Sequence, residues 1–332
     1  MTTGADRLDA LAIALINRYQ GGFPLSASPF AEIARQLDST EERVIETAQH
    51  LLDAGWLSRF GPLYDAAALG GGLTLAAISV PEQHYDKIAE IVNRYPEVAH
   101  NYRREHALNM WFVLATETPE EIISTLSSIE QTTGLNVYNF PKQHEFYVGL
   151  WLQLDGDKVS TVPVPDSQVE TCDYSAQAID KQIIQHTQAG LPIVSQPYNS
   201  IAQGLGSDPE IIIERMQHML ASGIIRRTGA VPNHYRLGLK ANGMSVWDVS
   251  DKKIAQLGEL IGSYDFVSHC YRRPRHLPLW RYSLFAMVHG HDRAEVDMKV
   301  ARIAKALGKD CRAHEVLYSS AILKKTGLRL AA

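Results

Sequence analysis

Cysteine is scarce: the 332 residues hold three, Cys172, Cys270 and Cys311, and no CxxC pair. So few and scattered thiols exclude a disulfide framework, argue against a thiolate metal site and suit a reducing cytoplasm. No apolar run approaches the ~18 residues of a membrane span, and residues 1–7 lack the apolar core of a signal peptide. A dominant charge is missing too. Lys and Arg number 32 against 37 Asp and Glu, for a net charge of −5. The chain as a whole is therefore no polyanion binder, and an anionic partner needs a local basic cluster. Hydrophobic residues at 45% and charged residues at 21% give an ordinary globular balance. The expectation is a cytoplasmic protein without a membrane partner.

What is present is a repeat. Gly22-Phe23-Pro24-Leu25 returns as Gly190-Leu191-Pro192-Ile193, and Ala54-Gly55-Trp56-Leu57 as Ser222-Gly223-Ile224-Ile225, both shifted by 168 residues. Further on, His100-Asn101-Tyr102-Arg103-Arg104 returns as His269-Cys270-Tyr271-Arg272-Arg273, with Trp111 aligned to Trp280, at a shift of 169. Such order reads as a duplication or a fusion of two related subunits. It predicts an intramolecular pseudo-dimer and leaves a further homodimer open.

Each copy opens with three short helical patterns. Leu8, Leu11, Ala12, Leu15 and Ile16 share one helical face. Pro29 starts a second helix, and Ser39-Thr40-Glu41-Glu42 has the form of a capping box for a third. Gly55 and Gly223 are placed to stop the third helices. The remainder of each copy reads strand, helix, strand, strand, helix, strand, with Met110–Thr116 as the third strand of the first copy and Arg293–Leu307 as the second helix of the second. The fold class is α+β: two tandem copies of a winged helix-turn-helix plus a ferredoxin-like βαββαβ sandwich. The boundaries fall at 1–62, 63–151, a linker at 152–173, 174–231 and 232–332.

A helix-turn-helix raises DNA binding, which needs bases on the recognition helix. Between Thr40 and His50, Glu41, Glu42 and Glu46 face Arg43 alone; between Asp208 and His218, Asp208, Glu210 and Glu214 face Arg215. Each sum is −2 (three acids, one base), so neither helix carries a stripe that would release counterions. These helices read as structural and no DNA partner is expected, although Arg226, Arg227 and Arg236 leave a basic wing open.

The strongest chemical signal is the repeated His-x-Tyr-Arg-Arg. On a strand, alternation puts His100, Tyr102 and Arg104 on one face and Arg103 on the other; His269, Tyr271 and Arg273 likewise oppose Arg272. From His269 to Arg281 the chain adds Arg275, Arg281 and His276 without an acid. Arginine forks suit carboxylates, and the interleaved Pro, Leu and Trp residues suit a flat ligand with an acidic rim. The same residues also suit a subunit interface or internal ion pairs.

At these strings the chain resembles two families. Helix-turn-helix followed by βαββαβ resembles the Lrp/AsnC transcription regulators, which implies the alternative function of sensing heme or an amino acid. The stretches His100 to His106, Asn109 to Leu114, His269 to Pro274 and Trp280 to Gly290 resemble the siroheme decarboxylases in particular. That resemblance implies a fused two-subunit carboxy-lyase of heme d1 or alternative heme synthesis. It would remove CO2 from the C12 and C18 acetates of siroheme to give 12,18-didecarboxysiroheme. It also implies no cofactor and no resident metal, since siroheme brings its own iron.

The residues then suggest roles. His100, His106 and His269 are candidate proton donors, with Tyr102 and Tyr271 as second donors or orienters. Arg103, Arg104, Arg272, Arg273, Arg275 and Arg281 are candidate anchors for the carboxylates that do not react. Trp111 and Trp280 are candidate apolar walls. His144, His289 and His314 either reach iron or serve as structural histidines.

Overall fold

The computed structural model describes residues 7–65, 68, 70–165 and 175–325. The first copy opens with α1 (Ala10–Arg18), α2 (Pro29–Gln36), α3 (Glu41–Asp53) and β1 (Leu57–Tyr64). Its sandwich follows as β2 (Gly72–Ile78), α4 (Tyr85–Arg94), β3 (Val98–Arg104), β4 (Met110–Thr116), α5 (Glu120–Thr133) and β5 (Val137–Pro141), and runs on into β6 (His144–Val148). A hairpin of β7 (Trp151–Asp155) and β8 (Lys158–Val162) precedes the second copy. There α6 (Ala178–Thr187), α7 (Pro197–Leu205), α8 (Pro209–Ala221) and β9 (Ile225–Pro232) repeat the opening. The second sandwich is β10 (Ala241–Val249), α9 (Ile254–Gly262), β11 (Val267–Arg272), β12 (Leu284–Gly290), α10 (Arg293–Leu307) and β13 (Cys311–Lys325).

Local chemistry sets these bounds. Thr40 caps α3 by accepting from Arg43 N–H, and Asp292 caps α10 by accepting from Glu295 N–H. Asp208 stands at the N-cap of α8 without a side-chain bond, and Pro209 opens the first turn. Gly55 and Gly223 follow α3 and α8 with φ of +72° and +79°, the left-handed conformation that ends a helix. The expected linker is partly structured. Leu152 and Leu154 alternate inward on β7 and are buried, and Gly156-Asp157 makes the turn. Asn17 and Gln20 of the first copy hydrogen-bond this strand's backbone. The rest of the linker, 166–173 with Cys172, lies outside the described residues. Cys270 and Cys311 are free thiols.

The two helix-turn-helix units share one core. Phe30, Phe60 and Leu51 of the first pack in the same buried cluster as Tyr198, Met216 and Ile225 of the second. The wings β1 and β9 pair antiparallel with each other, Gly61 opposite Gly229. A Cβ at Gly229 would lie 2.1 Å from Tyr19 O, so only glycine lets that loop backbone come so close.

The sandwiches form a single row of nine strands, β5-β2-β4-β3-β13-β10-β12-β11-β6. Each contributes the ferredoxin-like order, last-first-third-second. The join is reciprocal: β13 of the second lobe extends onto β3 of the first, and β6 of the first pairs with β11 of the second. The row's two ends, β5 and β6, are separated only by Lys142 and Gln143, a span of ~10 Å at most. The row therefore curls round until its ends meet. Helices α4 and α5 cover one outer face and α9 and α10 the other. Inside, Trp111, Phe140, Trp280, Tyr282 and Phe285 form an aromatic core. Each fully buried aromatic there contributes on the order of 2–3 kcal/mol. Beside that core the interior is hollow.

Candidate active site

The hollow is a cavity of about 290 Å³ with walls from both lobes. His100, Tyr102 and Arg104 project from β3; His269, Tyr271 and Arg273 project from β11 or its end. Strand alternation is what turns both triplets inward. Trp111, Val113, Met244, Phe285 and Met287 supply apolar wall. Among the lining residues four cations, Arg104, Lys142, Arg226 and Arg273, face one acid, Asp65.

Two of those cations have no ion-pair partner among the described residues. Arg104 is 6% exposed and donates to Leu317 O at 2.7 Å, while its Nε has no hydrogen bond. Arg273 repeats this: it donates to Phe140 O, and its Nε is buried without a partner. Their guanidiniums lie near the Tyr102 and Tyr271 rings, at 5.6 and 5.0 Å. Burial lowers both pKa values to about 10, so both stay charged at neutral pH. A buried charge with no counter-charge is costly. Two of them aimed into one cavity describe a site built for an anion with at least two carboxylates.

The histidines between them are neutral at rest. Burial lowers His100 to about 4, assisted by Lys325. Burial does the same to His269, with Arg226 and Arg273 adding to it and Glu145 opposing. His100 Nδ1 is buried without a hydrogen bond, whereas His269 Nδ1 lies 2.7 Å from Ser268 Oγ. Burial also raises the hydroxyl pKa of Tyr102 and Tyr271, so both phenols remain protonated.

Other expected site residues lie elsewhere. Arg103 is on the helix side of β3, ion-paired with Glu82 and stacked on Tyr85. Arg272 likewise does not line the cavity. Arg275 pairs with Asp251 at 2.7 Å and Asp248 at 3.4 Å; Arg281 pairs with Asp248 at 2.8 Å, and Arg312 joins the same carboxylate. The acid-free run is thus neutralised by acids from the end of β10. His106 sits behind the aromatic core, 3.4 Å from Glu315 and edge-on to Trp280. Trp280 is fully buried in that core rather than on the cavity wall. Its alignment with Trp111 also fails. Tyr102 pairs with Trp111 but Tyr271 pairs with Phe285, so Phe285 is the counterpart of Trp111. The loop between β11 and β12 is longer than that between β3 and β4, which moves the shift from 169 to 174 residues (271 − 102; 285 − 111).

Sequence reasoning did not find Lys142, Asp65 or Ser268. It gave Arg226 a wing role, but Arg226 bridges Asp65 and Glu145 at the cavity rim. Arg227 lies over Trp151 and Arg236 over Trp56. Arg215 of α8 is buried against Asp180. His289 has both ring nitrogens in hydrogen bonds, and His314 stacks on Trp247. Among the described residues no cluster of three His, Cys, Asp or Glu could hold a metal ion.

Comparison with known proteins agrees with this architecture. The profile described as "Siroheme decarboxylase NirDL-like HTH domain" matches residues 13–57 and 180–226, and "AsnC-like ligand binding domain" matches 69–147 and 236–324. The siroheme decarboxylase NirDL subunit of Paracoccus pantotrophus is 31% identical over 98% of both chains. The chain belongs to the siroheme decarboxylase family. The family's NirH subunit from Pseudomonas aeruginosa is 56% identical over 46% of this chain and 88% of its own length. A crystal structure of siroheme decarboxylase NirDL in co-complex with an iron-uroporphyrin III analogue is 26% identical, covers 96% of this chain and 93% of that one, and superposes with a TM-score of 0.70. No helix among the described residues is long and apolar enough to cross a membrane.

Proposed function

We propose that this chain decarboxylates siroheme at its C12 and C18 acetates, giving 12,18-didecarboxysiroheme, in the cytoplasm and without a cofactor of its own. The observation that carries this is the pair of buried, uncompensated guanidiniums, Arg104 and Arg273, flanking two histidines in one apolar cavity. Each step breaks the C–C bond to the carboxylate and leaves the electron pair on the macrocycle side. A proton then makes the new methyl group: acetate plus one proton gives methyl plus CO2.

Arg104 and Arg273 hold carboxylates that do not react, because a tight bond to the reacting carboxylate would stabilise the ground state. The reacting acetate lies against Trp111, Phe285 or Met287, where poor solvation of its charge favours loss of CO2. His100 and His269 supply protons. Resting imidazoles with pKa values near 4 are poor proton carriers at pH 7. Bound carboxylates favour the charged imidazolium and raise those values. The substrate therefore draws in the protons it consumes.

The test is an anaerobic incubation with siroheme, followed by product mass. Loss of two CO2 per macrocycle is expected. Stoichiometric binding with an unchanged mass would make the protein a carrier and overturn the proposal.

A further inference from the structure

Behind His269 runs a buried chain of hydrogen bonds. His269 Nδ1 lies 2.7 Å from Ser268 Oγ, which lies 2.6 Å from His289 Nε2. His289 Nδ1 lies 2.5 Å from Asn242 Oδ1, and Asn242 Nδ2 lies 3.3 Å from His234 Nε2. Donor and acceptor chemistry fixes the direction. Asn242 Oδ1 only accepts, so His289 Nδ1 carries the proton and its Nε2 accepts from the Ser268 hydroxyl. Ser268 Oγ in turn accepts from His269 Nδ1–H. The Nε2 of neutral His269 is therefore bare.

The chain's outer members reach two other hollows. Asn242 lines a cleft of about 400 Å³, and His234 lines one of about 230 Å³. A register irregularity between Val267 and His269 brings Ser268 beside the histidine that follows it. The first lobe has the same irregularity but none of the chemistry. Ala99 stands for Ser268, Ala115 for His289 and Leu73 for Asn242, by equivalent strand pairing.

We propose that Ser268, His289, Asn242 and His234 form a one-sided hydrogen-bonded support that orients His269 and stabilises its charged form, so that the two decarboxylations proceed unequally. This rests on the function proposed above. His269 takes up one solvent proton at Nε2 from the cavity side while its Nδ1–H stays hydrogen-bonded to Ser268 Oγ. The imidazolium then releases its Nε2 proton to the substrate, and the end state is the arrangement seen here. One solvent proton is taken up and one is delivered in each cycle. The charged groups facing this support are Glu145, Arg226 and Arg273 at His269, Lys299 at His289 and Lys325 at His234.

Ser268→Ala and Ser268→Thr test this in the full chain with siroheme. For Ser268→Ala we expect roughly tenfold slower turnover, accumulation of a monodecarboxylated product, an altered solvent deuterium isotope effect and unchanged siroheme affinity. Ser268→Thr restores the wild-type values. Asn242→Asp serves as a second variant: its carboxylate makes His289 a stronger acceptor for Ser268, tightens the hold on the His269 imidazolium and moves the pH–rate profile to higher pH. Wild-type turnover, isotope effect and pH profile in both Ser268→Ala and Asn242→Asp would overturn the proposal. If wild-type protein itself releases no CO2, the decarboxylase reading fails, and that outcome is separate.

Discussion

The two lobes present the cavity with the same face and differ in what stands behind it. His100, Tyr102 and Arg104 match His269, Tyr271 and Arg273 in position, burial and the depression of the imidazole pKa. Behind His100 are alanine and leucine; behind His269 are serine, histidine and asparagine. Duplication preserved what lines the cavity and let the supporting shell diverge. A pseudo-symmetric site can therefore bind a nearly symmetric ligand and still treat its two sides differently.

The largest effect expected on this comparison comes from the imidazoles themselves. His269→Ala and His100→Ala should each lose about 10²–10⁴-fold in turnover while siroheme affinity, read by titration, is kept. Unequal losses sharpen the contrast between lobes, and equal losses break it. Next come the guanidiniums. Arg104→Met or Arg273→Met should weaken siroheme binding by about 100-fold, the scale of one desolvated charge contact, with turnover at saturation retained. The same variants should melt a few degrees higher without ligand, because a buried charge without a counter-charge is removed. A lower Tm would mean that the arginines support the fold.

A smaller effect is proton uptake on binding. Because both resting imidazoles lie near pH 4 and bound carboxylates raise them, binding should take up protons at pH 7. Affinity then falls as pH rises through the bound-state pKa. Calorimetry in buffers of different ionisation enthalpy measures this, and buffer-independent heats would refute it. The smallest expected effect is on acid stability. Histidines held near pH 4 in the fold titrate near 6.5 when unfolded, so their stabilisation is present above pH 6.5 and is lost as pH falls through 4. Burial also holds His289 and, in the first lobe, His106 below the usual range, so among the described residues the second lobe carries three depressed histidines and the first lobe two. His100→Asn should remove less of the acid slope in urea unfolding than His289→Asn.

The face of each sandwich was legible because alternation is local. The expected strand Met110–Thr116 and helix Arg293–Leu307 have those bounds in the structure, and both inward triplets follow from counting by twos. Pairing over distance was not legible. Asp248 claims Arg275 and Arg281 from 27 and 33 residues away, and nothing in the basic run announces it. Trp280 was misplaced because an insertion after Arg273 lies between two well-matched strings. The hairpin reads as linker in the sequence, because two five-residue strands about the Gly156-Asp157 turn are too short to stand out from a Gly- and Pro-containing stretch. Ser268 was visible beside His269, but only the fold places His289 against it.

The reciprocal strand exchange has a consequence for how the lobes can be separated. Each lobe's closing strand completes the other's sheet, so pulling them apart would strip ladder hydrogen bonds from both and expose the aromatic interior. Covalent continuity between Pro165 and Ser175 is then a convenience of synthesis, not a mechanical need. A protease nick in that interval should leave a tightly held two-chain particle with its catalytic cycle intact, the architecture of a heterodimer encoded as one polypeptide.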